Sequence, residues 1–211
     1  SKVNQYTVSN PFLLYALEFG LDPKMRSLFT AVYQAQAQRY RNTETLTASA
    51  TTLIERQPYT VHSSIIGQNQ PWVALDDDGK LLPEGRLVSS AVAFAYYALL
   101  PKDSYTQELI KATTDLYNPL LGFYEGFYEK TGKTALGSTS STNSMILQSL
   151  LYTATKQQPL LRPNMDMKSP WWQAVADGNS GRGLPNTSTQ KTQFVTNGTE
   201  HYWITVKDGT N

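Results

Sequence analysis

The apolar spacing predicts a mainly α fold of helical hairpins, with short β-hairpins in the loops between them. Three observations carry this. Five stretches repeat apolar residues three and four apart, as one face of a helix requires. Two of them open on a capping residue followed by proline, Asn10-Pro11 and Asp22-Pro23, the combination that starts helices. Short turns alternate with long decorated loops, and such loops are where function is expected.

Taken in order, Asn10 caps a first helix that runs through Phe12, Leu13, Leu14, Ala16 and Leu17 to Gly20. Asp22 caps a second, through Met25, Leu28, Phe29, Val32 and Tyr33 to about Arg41, with Gln34, Gln36, Gln38, Arg39 and Arg41 as a solvated face. From Leu46 to Pro83 the period changes to an irregular excursion with a short hairpin. A β-like run starts at Pro58 with Tyr59-Thr60-Val61 and continues through Ile65-Ile66 to Gly67, and Trp72 to Leu75 precede the turn Asp76-Asp77-Asp78-Gly79. Helical spacing returns over Leu87–Leu100, stopped by Pro101. It resumes after Asp103 or Ser104 to about Tyr117, and again from about Asn143 to Thr155. Beyond Pro159, Trp171-Trp172 reads as a short helix, Gly178–Asn197 as a polar loop, and Tyr202–Val206 as a terminal strand. The division expected is a helical-hairpin domain over 1–158 and a loop-rich extension over 159–211.

Composition excludes several function classes. There is no cysteine, which removes disulfides, thiolate zinc sites, iron–sulfur clusters and cysteine nucleophiles. Two histidines are too few for a three-histidine metal site, and no metal or cofactor is expected. A net charge of +1 gives neither a nucleic-acid footprint nor a polybasic membrane anchor. No apolar run reaches the length of a spanning helix, so membrane insertion is not expected. Charged residues make up 17% of the chain, below the roughly 25% of an average soluble domain. The polarity lies instead in Ser 17, Thr 24, Asn 11, Gln 14 and 13 Tyr, which suits an extracytoplasmic or carbohydrate-handling protein. The chain begins at Ser1 without a visible signal peptide and reads as trimmed.

The most informative stretch is Gly-Phe-Tyr-Glu-Gly-Phe-Tyr-Glu over 122–129. Gly122 and Gly126 argue against a helix. If the stretch is extended, Phe123, Glu125, Phe127 and Glu129 share one face, and Tyr124 and Tyr128 take the other. Flat rings stack on the apolar faces of sugars, and carboxylates accept sugar hydroxyls. Glycoside hydrolysis needs two carboxyl groups, and Glu125 is the candidate acid/base, with Glu129 behind it. The competing reading is a surface hairpin with Phe inward and Glu solvated. Trp72 reads as a sugar platform or a core plug. Glu84-Gly85-Arg86 lies just before a helix, as loop-mouth residues or as cap and surface charge. Asp76, Asp77 and Asp78 lack the later glutamate of a calcium loop and read as a solvated turn. His62 and His201 read as ordinary polar or core residues.

Segments 12–41, 58–100 and 104–155 resemble the C-terminal half of a bacterial family of unknown function. That family is encoded near cellulose and exopolysaccharide synthesis genes and is grouped with six-hairpin glycosidase-like α/α toroids. The carriers include Ala31–Gln36 with Arg39-Tyr40-Arg41, Pro58–Val61, Pro71-Trp72 and Arg86–Ser89. They continue with Tyr117-Asn118-Pro119, Gly122–Gly132 and Ser141–Leu147. The resemblance implies a partial α/α toroid and a polysaccharide context, without a catalytic assignment. A six-hairpin toroid needs many more helices than the five or six read here, so an N-terminal half or a second chain is expected to complete it.

The function expected is an extracytoplasmic carbohydrate-active domain, binding or hydrolysing a bacterial polysaccharide. Trp72, Tyr124, Tyr128, Arg86 and Asn143 are the expected binding residues, and Glu125 and Glu129 the expected catalytic ones. The alternatives are a non-catalytic envelope scaffold and an interaction domain completed by its partner.

Overall fold

A computed structural model describes residues 6–161, and the backbone of 190–197 and 200–207. The chain divides into two compact units, Ser1–Asn164 and Met165–Asn211. In the first unit the helices are α1 (Asn10–Phe19), α2 (Pro23–Thr43), α3 (Ser90–Leu99), α4 (Ser104–Thr113) and α5 (Ser140–Ala154). α3, Ser-Ala-Val-Ala-Phe-Ala-Tyr-Tyr-Ala-Leu, is apolar on almost every side and is buried accordingly. α1, α4 and α5 all pack on it, and its small alanines admit them closely. Leu13, Leu17, Val92, Tyr96, Leu109 and Ile146 form the centre of this core. Among the described residues no helix is long and apolar enough to cross a membrane.

The expected fold class, mainly α with toroid-like hairpins, is overturned. Among the described residues of this unit, ten short strands in four sheets interleave with these five helices. β1 (Thr51–Leu53), β2 (Thr60–Ser63) and β5 (Ala74–Leu75) form one antiparallel sheet. β3 (Ile66–Gly67) and β4 (Gln70–Pro71) make a hairpin. β6 (Leu87–Ser89) pairs with β9 (Gly126–Tyr128), which also pairs with β10 (Thr134–Ala135). β7 (Tyr117–Asn118) and β8 (Gly122–Phe123) close a second hairpin. What read as irregular excursion is therefore paired backbone. Within it the strands pair over short separations, as in Thr52 with Val61, whereas β6 and β9 pair at long range, as in Val88 with Phe127, and local periodicity does not carry that information.

Three boundaries move for local reasons. Ser9 rather than Asn10 occupies the first cap position, and the Asn10 carboxamide instead accepts from Thr51 N at 3.1 Å, tying α1 to β1. The run Leu87–Leu100 is a strand for three residues and a helix only from Ser90, with Ser89 as cap. Tyr117 belongs to a strand, because α4 ends at Thr113. Asp22, Asp103 and Thr139 cap α2, α4 and α5 through their side chains.

In the second unit β11 (Gln190–Asn197) and β12 (Glu200–Lys207) form an antiparallel hairpin with eight registered pairs. The stretch expected as loop up to Asn197 is thus strand from Gln190 onward. The expected helix at Trp171-Trp172 lies outside the described residues.

Candidate functional site

The site is assembled from one helix end and two loops. Near the C-terminal end of α2, Arg39 donates to Glu129 through both terminal nitrogens, at 2.6 and 2.8 Å. Such a bidentate fork fixes orientation as well as charge. Arg86 Nε donates to the same carboxylate at 3.1 Å. The remaining Arg86 nitrogens are held by the carbonyls of Ser64 at 2.6 Å and Val73 at 3.1 Å, and by Ser49 Oγ at 3.4 Å. Arg39 also donates to Thr47 Oγ1 at 2.6 Å. The three side chains are between 7 and 15% exposed.

Burial alone pushes the Glu129 carboxyl up, but the Arg39 hydrogen bonds and the two guanidinium charges outweigh it and hold it below the usual range. Desolvation is the larger influence on Arg86 and pulls its pKa down, against the pull of Glu129. Glu129 is thus a fixed anion at neutral pH, suited to accepting hydroxyl donors and unsuited to giving a proton.

Trp72 lies beside this ion group. Its ring centroid is 4.8 Å from the Arg39 guanidinium carbon and 5.7 Å from that of Arg86, within cation–π range. The β3–β4 turn delivers it. Gln68 and Asn69 both take left-handed φ, 50° and 61°, as a two-residue hairpin of the primed type demands. Trp72 follows at φ 56°, a conformation bulky residues rarely adopt. Its N–H donates to Ile65 O at 2.9 Å, which holds that turn. The half-buried indole lines a cleft of about 370 Å³ together with Arg39, Arg86 and Glu129. A second cleft of about 210 Å³, lined by Val73, Leu81 and Leu82, shares the same ring.

Glu125 goes elsewhere. It is 2% exposed and accepts from Thr139 Oγ1 at 2.6 Å, under the N-terminus of α5. Burial pushes its carboxyl up, partly offset by hydrogen bonds from Thr139, Thr142 and the Leu53 backbone. It lines neither Trp72 cleft. The extended run expected to carry Glu125 and Glu129 on one face is interrupted: β8 and β9 belong to different sheets, and Gly126 joins them at φ 143°. The two carboxyl groups share no partner.

The other expected residues scatter. Tyr124 is half-buried, its hydroxyl accepting from Asn118 Nδ2 at 3.5 Å. Asn143 accepts from Phe123 N at 2.8 Å and donates to the Phe123 and Thr139 carbonyls, so it is a brace between β8 and α5. Tyr128 is buried beneath Arg56, whose guanidinium carbon is 4.8 Å from its ring centre. Glu84 pairs with Lys130 at 2.5 Å on the surface. His62 is buried, stacked on Tyr6 at 4.1 Å, with Asp77 at 3.1 Å. His201 lies where no side chain is described.

Two expectations about α2 are corrected. Arg39, expected on the solvated face of the helix, instead completes the ion group. Gln36, from the same face, is fully buried and bonds Tyr96 and Ser49. Charge and amide content alone suggest exposure, and only the position of Glu129, ninety residues on, reveals the partner. Among the described residues no group of three or more His, Cys, Asp or Glu could hold a metal ion.

No curated protein and no solved structure matches this chain. Residues 1–156 match the family described as protein of unknown function (DUF3131). Since that match spans well over half of the sequence, the chain belongs to this family.

Proposed function

We propose that this chain is a polysaccharide-binding domain working outside the cytoplasm, with the Trp72 cleft as its binding site. The observation that carries the reading is the pairing of a half-buried indole with a carboxylate that two guanidinium groups hold ionised at neutral pH. A sugar ring placed on the indole presents C–H groups to its face, while its hydroxyl groups reach Glu129 Oε1 and the free Arg39 N–H. The low charge and the hydroxyl and amide surplus support an extracytoplasmic setting. The resemblance to a family encoded beside cellulose and exopolysaccharide synthesis genes supports a polysaccharide ligand.

Binding is favoured over hydrolysis by the two carboxyls. A glycosidase needs one proton donor and one base flanking the same bond. Glu129 stays ionised, and Glu125 has its oxygen engaged by Thr139 away from the indole. A glycan array followed by reducing-sugar assays tests this. Glycan capture that Trp72→Ala abolishes, without sugar release, is the expected result. Release that Glu125→Gln eliminates would replace binding with catalysis.

One observation favours a second role in protein contact. On α5 the outer residues Leu147, Leu150 and Leu151 are 65, 50 and 53% exposed, an apolar strip of the kind that marks interaction surfaces. Light scattering after size exclusion reads it out: a dimer that Leu147→Glu dissociates supports the role, and a monomer at all concentrations removes self-association.

A further inference from the structure

The ion group beside Trp72 is not neutral. The guanidinium groups of Arg39 and Arg86 share the single carboxylate of Glu129. Among the described residues no second carboxylate pairs with either of them. Glu84, the other acid lining the cleft, is paired with Lys130 at 2.5 Å. Arginine stays protonated at any pH where a protein folds, so titration cannot remove the excess charge. The two guanidinium side chains are 15 and 7% exposed, and water screens charges weakly at such burial. The Trp72 ring offsets part of the excess through its face. Arg86, whose pKa burial lowers first, is pushed further down by the like charge of Arg39.

The unused donors match this charge. In Arg39 both Nη1 hydrogens are taken, by Thr47 and Glu129, and one Nη2 hydrogen goes to Glu129. The Nε–H and the second Nη2–H remain. They lie side by side on one edge of the planar fork, at the spacing the two oxygens of a carboxylate match. This edge is open. Among the described residues the buried side-chain polar atoms without a partner are Ser90 Oγ, Tyr128 Oη and Gln148 Oε1. Arg39 Nε bonds no described residue and is not one of them, so it keeps accessible surface. The Trp72 indole N–H is open on the same grounds. Both residues line the cleft of about 370 Å³, and the Nε–Nη2 edge is the part of the Arg39 guanidinium that neither Glu129 nor Thr47 occupies.

Resting on the polysaccharide-binding reading, we infer that the ligand is an acidic polysaccharide, and that the carboxylate of a uronic acid unit takes the open Nε–Nη2 edge of Arg39 beside Trp72. That carboxylate supplies the second anion the two guanidinium groups lack. Its two oxygens accept both open Arg39 donors at once, whereas the hydroxymethyl group of the matching neutral sugar accepts through one oxygen and brings no charge. Glu129 keeps its own place on the other edge and fixes the orientation of the fork.

Calorimetry at neutral pH tests this with ladders from disaccharide to hexasaccharide, taken in pairs that differ only in whether the exocyclic carbon is a carboxylate or an alcohol. Oligoglucuronates with the linkage of cellulose are set against cello-oligosaccharides, and oligomannuronates against manno-oligosaccharides of the same linkage. For the pair that binds, the acidic hexasaccharide is expected to bind wild type about tenfold more tightly than its neutral counterpart at low salt, and added sodium chloride is expected to narrow that gap. Arg39→Lys keeps a positive charge opposite Glu129 and removes the open edge, and is expected to shrink the gap about fivefold. On wild type, independently of any variant, the Arg39 Nε–H resonance is expected to shift further with the acidic hexasaccharide than with the neutral one. Equal affinities within each pair, or a tighter neutral member, overturn the acidic ligand and leave Trp72 binding standing. A preference for the acid that leaves the Arg39 Nε–H unmoved overturns the assignment to this edge. If no member of any pair binds wild type, the polysaccharide reading falls and the acidic ligand with it.

Discussion

The two copies of Gly-Phe-Tyr-Glu, 122–125 and 126–129, have the same sequence and opposite fates. In the first, Gly122 at φ 86° faces the Asn143 side chain, Phe123 packs edge-on against Phe94 at 4.9 Å, and Glu125 is buried against a threonine. In the second, Gly126 abuts the Val88 backbone, Tyr128 is buried, and Glu129 meets two arginines. One carboxyl is pushed up and the other held down. The sequence repeat is therefore not a structural repeat. What separates the copies is the partner each one reaches: a helix cap with no charge, or guanidinium groups from α2 and from the residue before β6.

Substitutions that treat the copies symmetrically sharpen this contrast. The largest effect is expected for Glu129→Gln, which strands two nearly buried guanidinium groups, at about 4 kcal/mol in urea unfolding. A cost below about 1 kcal/mol would mean that water screens the ion group. Next comes Gly126→Ala, at about 3 kcal/mol, because a Cβ there runs into the Val88 carbonyl, which cannot move without breaking the β6–β9 pair. Gly122→Ala meets the Asn143 amide, a side chain rather than backbone, and is expected to cost less, about 2 kcal/mol in the same assay, through the left-handed φ and the Asn143 bonds it displaces. Equal losses at the two glycines would erase the distinction.

Glu125→Gln is the smallest, within about 1 kcal/mol, since the amide keeps a Thr139 acceptor and loses a desolvation cost. Its sign depends on pH, and oppositely to that of Glu129. Glu129 has a lowered folded pKa, so its stabilisation is full above the ordinary value of 4.5 and is lost as pH falls through the folded value. Glu125 has a raised folded pKa, so the folded state holds its proton longer and stability declines as pH rises from 4.5 through the folded value. On acidification wild type should lose ground to Glu129→Gln and gain it on Glu125→Gln. Unfolding curves taken on both sides of this window report both slopes, and slopes of the same sign would contradict the opposing environments.

What was legible in the sequence follows from range. Asp22-Pro23 and Asp103 mark helix starts because a cap acts within three residues. The glycines of the repeat ruled out a helix there for the same local reason. Trp72 and Arg86 were visible as candidates, one by its ring and one by its charge. Arg39 was not, because its partner lies on a strand end far along the chain and its helical neighbours are polar. The short strands escaped similarly: two or three residues of β6 or β9 hold no period of their own, and their partners lie far apart in the chain.

The central claim, that a glycan lies on Trp72 beside the ionised Glu129, is tested most directly by an amide and indole NMR titration with the hexasaccharide of the binding ladder. The indole N–H peak assigned by Trp72→Phe is expected to shift in step with the side-chain N–H of Arg39 and to saturate with it. Saturable binding that moves other resonances and leaves Trp72 and Arg39 unmoved would contradict it.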